Sequence, residues 1–136
     1  MHVRLAQLSD VAQITRLGRQ LIELHTDFDK DYYALENNFD ELFSNWVKQQ
    51  INIPQRFIFV AEEKESIVGF ISGFMKPLYH WFQTKTVGHI SYMIIGQNFR
   101  RRGIGRLLEE ASVTWFKSQN ISYVELYTHL TQVCNF

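Results

Sequence analysis

The stretch that decides the reading is Gly88-His-Ile-Ser-Tyr-Met-Ile-Ile-Gly-Gln-Asn-Phe-Arg-Arg-Arg-Gly-Ile-Gly-Arg106. An apolar run over 87–95 has the composition of a strand, and it leads into a basic turn punctuated by glycine. Ile104, Leu107, Leu108, Ala111 and Trp115 then recur at helical spacing, which predicts a helix from that turn to about Ser118. The start of a helix presents unpaired N–H groups and the positive end of the helix dipole, and both favour a phosphate. Gly103 and Gly105 let the backbone approach a ligand without a β-carbon in the way, while Arg100, Arg101, Arg102 and Arg106 add positive charge. These features describe a pyrophosphate cradle. Two other phosphate cradles do not fit. The dinucleotide fingerprint needs a third glycine where Leu108 stands, and the nucleoside-triphosphate loop needs a Gly-Lys-Ser/Thr run that the chain lacks.

Outward from this stretch, the chain reads as a single domain, residues 1–136, without repeat or linker. Apolar residues make up 46% of it, enough for a core that needs no metal or disulfide staple. Fourteen Lys+Arg against fourteen Asp+Glu leave no basic excess, which argues against nucleic acid or an anionic membrane as partner. Cys134 is the single cysteine, an incidental thiol with no base spaced to serve it, and no Cys/His group has zinc spacing, so no metal is expected. The first residues do not read as a signal peptide and no apolar run is long enough to span a membrane, so a cytoplasmic protein is expected.

The remaining elements follow from periodicity. Residues 2–8 read as a short strand, Ser9-Asp10 as an N-cap, and Val11, Ile14, Leu17, Leu21, Leu24 and Phe28 as the apolar stripe of a helix to about residue 26. Asp27 to Asn38 reads as a turn region. Asn38 and Asp40-Glu41 open a second helix through Leu42, Phe43, Trp46 and Val47, ending before Pro54. Residues 57–61 and 67–75 read as a hairpin around a charged turn, followed by a loop carrying Tyr79, His80 and Trp81. After the third helix Asn120 offers a left-handed cap, and 121–128 is the last strand, with Val124 and Leu126 on one face. The order β-α-α-β-β-β-α-β is an α/β chain with a mixed sheet. Within 87–95 the step from Ile90 to Met93 is odd and that from Met93 to Ile95 even, which predicts a β-bulge near Ser91-Tyr92.

The turn resembles motif A of the GNAT N-acetyltransferase superfamily, Arg/Gln-x-x-Gly-x-Gly/Ala, matched as Arg100-x-x-Gly103-x-Gly105, and the resemblance extends to the whole order of elements. It implies a GNAT-like acyl-CoA N-acyltransferase fold binding acetyl-CoA as cosubstrate, with the pyrophosphate on Arg100 to Arg106, Ile104 included. It also implies that the backbone of Met93, Ile94 and Ile95 holds the pantetheine arm and stabilises an oxyanion. The acceptor amine must lose a proton before attack. Superfamily members often use a glutamate or histidine on this strand; on that likeness His89 is the base candidate, with Tyr92 and Glu62 behind it. His25, Tyr32, Tyr33, His80 and Trp81 would line the acceptor side, and Asp27, Asp29, Asp31 and Glu36 would give it an acidic rim that favours a cationic small-molecule or peptide amine.

The superfamily's fourth helix, with its Asn-x-x-Ala-x-x-Phe-Tyr motif and proton-donating tyrosine, and its closing hairpin have no counterpart here. Gln132 stands at about the asparagine place. Slow turnover is therefore expected, together with an unpaired edge on the last strand, which would either be covered by a second copy in a homodimer or leave that strand loosely held. Two functions remain open at this point. One is an acetyl-CoA-dependent N-acetyltransferase; the other is a GNAT-like module that binds acyl-CoA with little or no catalysis, as a sensor or partner.

Overall fold

A computed structural model describes residues 1–26 and 35–126. Strand β1 (His2–Leu5) leads through a short 3-10 turn at Leu8–Asp10 into helix α1 (Val11–Thr26), and helix α2 (Phe39–Asn52) follows. Strands β2 (Arg56–Glu63), β3 (Ser66–Pro77) and β4 (Thr86–Ile95) form a meander; helix α3 (Ile104–Ser118) then returns the chain to strand β5 (Val124–Leu126). The sheet order is β1-β2-β3-β4-β5, antiparallel throughout except for the parallel β4–β5 pair. No helix of the described residues is long and apolar enough to cross a membrane.

Both faces of the sheet are covered. One apolar cluster joins Val11, Ile14 and Leu17 of α1 and Phe39, Phe43 and Val47 of α2 to Ile58, Val60, Phe70 and Ile94 of the sheet. The other joins Ile104, Leu108 and Phe116 of α3 to Phe57, Ala61, Ile71 and Ile95. The alternation of β2, β3 and β4 between the two clusters is what a sheet buried on both faces requires. Leu42 and Leu107, counted with the apolar stripes by spacing, are instead about half exposed, at 49% and 43%. Each lies one residue beyond the edge of its helix's packed face, which Phe43 and Leu108 occupy.

The start of α1 differs from the expected Ser9-Asp10 cap. Asp10 ends the 3-10 turn, and its carboxylate accepts the Gln7 N–H at 2.8 Å and two bonds from the Arg4 guanidinium at 2.8 and 3.1 Å. This clamp also explains why β1 stops at Leu5 and does not run to residue 8. The β2–β3 hairpin closes through Lys64 and Glu65, both at positive φ (50° and 67°), the geometry of a type I′ turn made without glycine or asparagine. Asn120 caps α3 in the left-handed region at φ 61°, as the sequence indicates. The last strand is described for three residues, Val124–Leu126; the sequence's extension to Thr128 lies outside the described residues.

Candidate active site on the fourth strand

The expected bulge is present. Ser72 of β3 pairs with Tyr92 and the next residue, Gly73, with Ile90, so Ser91 is the inserted residue. It restores the phase of β4: Ile90, Met93 and Ile95 all pack toward α3, and Tyr92 and Ile94 toward α1 and α2. His89 shares the α1/α2 face with its cross-strand neighbour Phe74, the two rings lying 4.9 Å apart.

The β4 backbone has two regimes. From Gly88 to Ile90 it is paired on both sides, to β3 and, in parallel, to Val124–Leu126. Beyond Ile90 no described residue of β5 continues the ladder. Gly96 donates its N–H to Val68 O on the β3 side. By the alternation of an antiparallel ladder Ile94 also faces β3, while the N–H groups of Met93 and Ile95 point away from it, to the β5 side. On that same side the Ile95 carbonyl accepts from the Arg100 Nε–H at 3.2 Å. A half-buried guanidinium thus anchors the turn to the end of the strand.

The turn itself is built for close approach. Arg101 and Gly103 both adopt positive φ (63° and 82°), and Gly103 is the N-cap of α3. A β-carbon on Gly103 would meet no protein atom within 4 Å, so the space in front of the first turn is open. Gly105 is buried in that turn. The Arg102 guanidinium lies over the Phe99 ring at 5.3 Å, and the exposed Arg106 pairs with Glu110 one helical turn on. With the helix dipole and its unpaired N–H groups behind it, this turn has the chemistry that suits a pyrophosphate.

At the other end of β4, His89 is nearly buried, its side chain 12% exposed. Its Nδ1 lies 3.2 Å from Glu125 Oε1 on β5, and the same oxygen lies 2.8 Å from Lys76 Nζ on β3. Lys76 therefore reaches across β4 to meet Glu125. Neither Glu125 nor Lys76 is legible in the sequence as a site residue. Only the parallel register, which sets His89 opposite Glu125, brings them together.

The other candidates separate from this cluster. Tyr92 packs its ring against Trp46 (5.5 Å, edge-on) and Phe43 (6.4 Å), and burial pushes its phenol above the ordinary range. Burial thus favours its protonated form, and the ring is part of the packing against α2. Glu62, the reserve base candidate, lies on β2, two strands from the β4 of His89, and its carboxylate accepts from Arg4 at 2.7 Å. His80 is exposed on the β3–β4 loop, where Trp81 stacks on Tyr79 with ring centroids 4.6 Å apart. The Tyr32, Tyr33, Asp27, Asp29 and Asp31 candidates lie outside the described residues, as do the side chain of His25, Gln132 and Cys134. A cleft of about 400 Å³ opens between Thr84–Thr86 and Gln119–Tyr123. It lies at the far end of the sheet from the arginine turn and gathers no cluster of ionisable groups, so size alone does not locate the chemistry.

Comparison with known proteins bears on the family and the fold. The sequence profile of the Acetyltransferase (GNAT) family matches residues 19–135. The chain belongs to the GNAT acetyltransferase family. No curated protein sequence matches. Among solved structures, the chain resembles the BH1408 protein from Bacillus halodurans, studied as a tetramutant, with TM-score 0.83 at 24% identity over 96% of this chain and 84% of that one. It also resembles aminoglycoside 6'-N-acetyltransferase AAC(6')-IG from Acinetobacter haemolyticus, with TM-score 0.77 at 13% identity over 96% and 81% of the two chains. A predicted acetyltransferase from Clostridium acetobutylicum, crystallised with acetyl-CoA, gives TM-score 0.74 at 20% identity over 95% and 81%. At these identities the GNAT fold is what the likenesses establish.

Proposed function

We propose that this GNAT protein transfers the acetyl group of acetyl-CoA to a primary amine by direct attack, with no covalent enzyme intermediate. The observation that carries the reading is the open turn at Gly103, with Arg100 tied to the Ile95 carbonyl at the mouth of β4. A pyrophosphate at that turn directs the pantetheine arm along the side of β4 away from β3, where the N–H groups of Met93 and Ile95 face it. One of them supports the oxyanion as the amine nitrogen bonds the carbonyl carbon. His89 takes the amine's proton, directly or through one water. The C–S bond then breaks, and CoA leaves as a thiolate that is protonated by solvent.

The acceptor is a small-molecule or peptide amine. Titration of the protein with acetyl-CoA, followed by free-thiol release across polyamines, aminoglycosides, amino acids, arylalkylamines and peptide N-termini, tests the reading. Binding without thiol release from any amine would leave a CoA-binding module. Absence of binding would remove the cradle. The exposed side of β5 is the proposed contact with a second copy, and light scattering decides whether the protein is a dimer.

A further inference from the structure

Two strands hold the His89 ring through one oxygen atom. Glu125 Oε1 stands 3.2 Å from His89 Nδ1 and 2.8 Å from Lys76 Nζ. An ammonium only donates, so the oxygen it approaches is an acceptor. A neutral imidazole carries one N–H and one lone pair. A lone pair at Nδ1 would set two acceptors against each other at hydrogen-bond distance. Nδ1 therefore carries the proton, and the lone pair falls on Nε2. Phe74 forms the aromatic wall of the same pocket, and the charged groups that the described residues bring to the ring are Glu125 from β5 and Lys76 from β3.

From this geometry we infer that Glu125 is a positioning residue: held by Lys76, it fixes His89 in the Nδ1–H tautomer, so that Nε2 is the nitrogen that receives the amine's proton. The inference rests on His89 being the base of the proposed reaction. As the N–C bond forms, the amine proton passes to Nε2 and the ring becomes an imidazolium. Its Nδ1–H then points at a carboxylate, an ion pair that stabilises the charge where it appears. The ring afterwards returns that proton to solvent. A base with the opposite tautomer would offer an N–H at Nε2 and accept nothing.

The test is the ¹⁵N NMR spectrum of the His89 ring in the full chain, assigned against His89→Ala and recorded where the ring is neutral. Wild-type protein should show Nδ1 protonated. Glu125→Gln, whose amide oxygen can take the place of Oε1, should keep that tautomer, and Glu125→Ala should shift to the Nε2–H form that free side chains prefer. Turnover should fall about tenfold or more in Glu125→Ala, with acetyl-CoA affinity unchanged, and should be partly restored in Glu125→Gln. A wild-type ring protonated at Nε2, or an Nδ1–H ring that persists in Glu125→Ala, would overturn the inference. If Glu125→Ala does not fold, the wild-type and Glu125→Gln spectra still decide it. Wild-type turnover in His89→Ala would instead remove His89 as the base while leaving the tautomer assignment standing, so the two failures are distinguishable.

Discussion

Gly18 of α1 lies directly beneath the ring of Phe43 of α2, with no room between them for a β-carbon. The ring cannot step aside: it is 8% exposed and packed between Phe39 and Trp46, each with centroids 5.3 Å away. Gly18→Ala gains about 1 kcal/mol of helix propensity, but overpacking a filled site costs about 1–3 kcal/mol. The overpacking wins. Chemical denaturation should show a net loss of about 1 kcal/mol, and the loss should shrink in a Phe43→Leu background, where the ring is gone. Equal losses in the two backgrounds would place the cost elsewhere.

Gly103→Ala should act on the cosubstrate far more than on the fold. Its β-carbon meets no protein atom, so the structural cost is the positive φ of 82°, about 1–2 kcal/mol for a non-glycine residue. The same β-carbon points into the space assigned to the pyrophosphate. Calorimetric titration with CoA should therefore show a loss of roughly tenfold or more in a protein whose melting temperature drops only modestly. Arg100→Ala should weaken CoA by about 1–3 kcal/mol, the worth of a bond to a charged group.

The Arg4–Asp10 clamp contributes to stability in a pH-dependent way. The Arg4 guanidinium, then the Gln7 N–H, hold the Asp10 carboxyl below its ordinary value of 3.8, against the opposing effect of burial. A depressed native pKa means that the unfolded chain binds the proton first. The clamp's contribution is thus complete above the ordinary carboxylate range and is lost as pH falls through and below it. Asp10→Asn should cost about 1–3 kcal/mol at pH 7, and the difference from wild type should close under acid. A constant difference down to pH 2 would contradict the assignment.

The β2–β3 turn should be improvable. Lys64 and Glu65 both occupy the left-handed region that a type I′ turn demands, at a cost that asparagine and glycine avoid. Lys64→Asn combined with Glu65→Gly should raise stability by about 1 kcal/mol, read as a higher denaturant midpoint with an unchanged slope. A lower midpoint would show that these side chains hold the turn through contacts of their own.

What the sequence reveals and what it hides divide along the distance over which information travels. The turn from Ile95 into α3 is written locally, in Arg100, Gly103, Gly105 and the apolar spacing after them. The bulge is local too, because only a slipped pairing reconciles the odd step from Ile90 to Met93 with the even one to Ile95. His89 and Glu125 are 36 positions apart, and their meeting depends on the parallel register of two strands joined through α3, which no short window contains. Asp10 repeats the point in miniature. A serine-aspartate pair before an apolar stripe is a capping signal until Arg4, six residues back, claims the carboxylate. Leu42 and Leu107 show the limit of periodicity, since spacing gives the direction of a helix's apolar face but not how far the packing extends around it.

Ser91 acts as a phase slip, and this sets how the strand tolerates a change in length. It is the one residue that breaks the alternation, so the residues before and after it already agree on which face is inside. Deleting Ser91 alone would leave a regular strand in which Ile90, Met93 and Ile95 keep one face and His89, Tyr92 and Ile94 the other, with the pairing to β3 continuous. Both cores would survive that loss. Its cost would fall on the bend that the extra residue puts between His89 and the backbone of Met93 to Ile95.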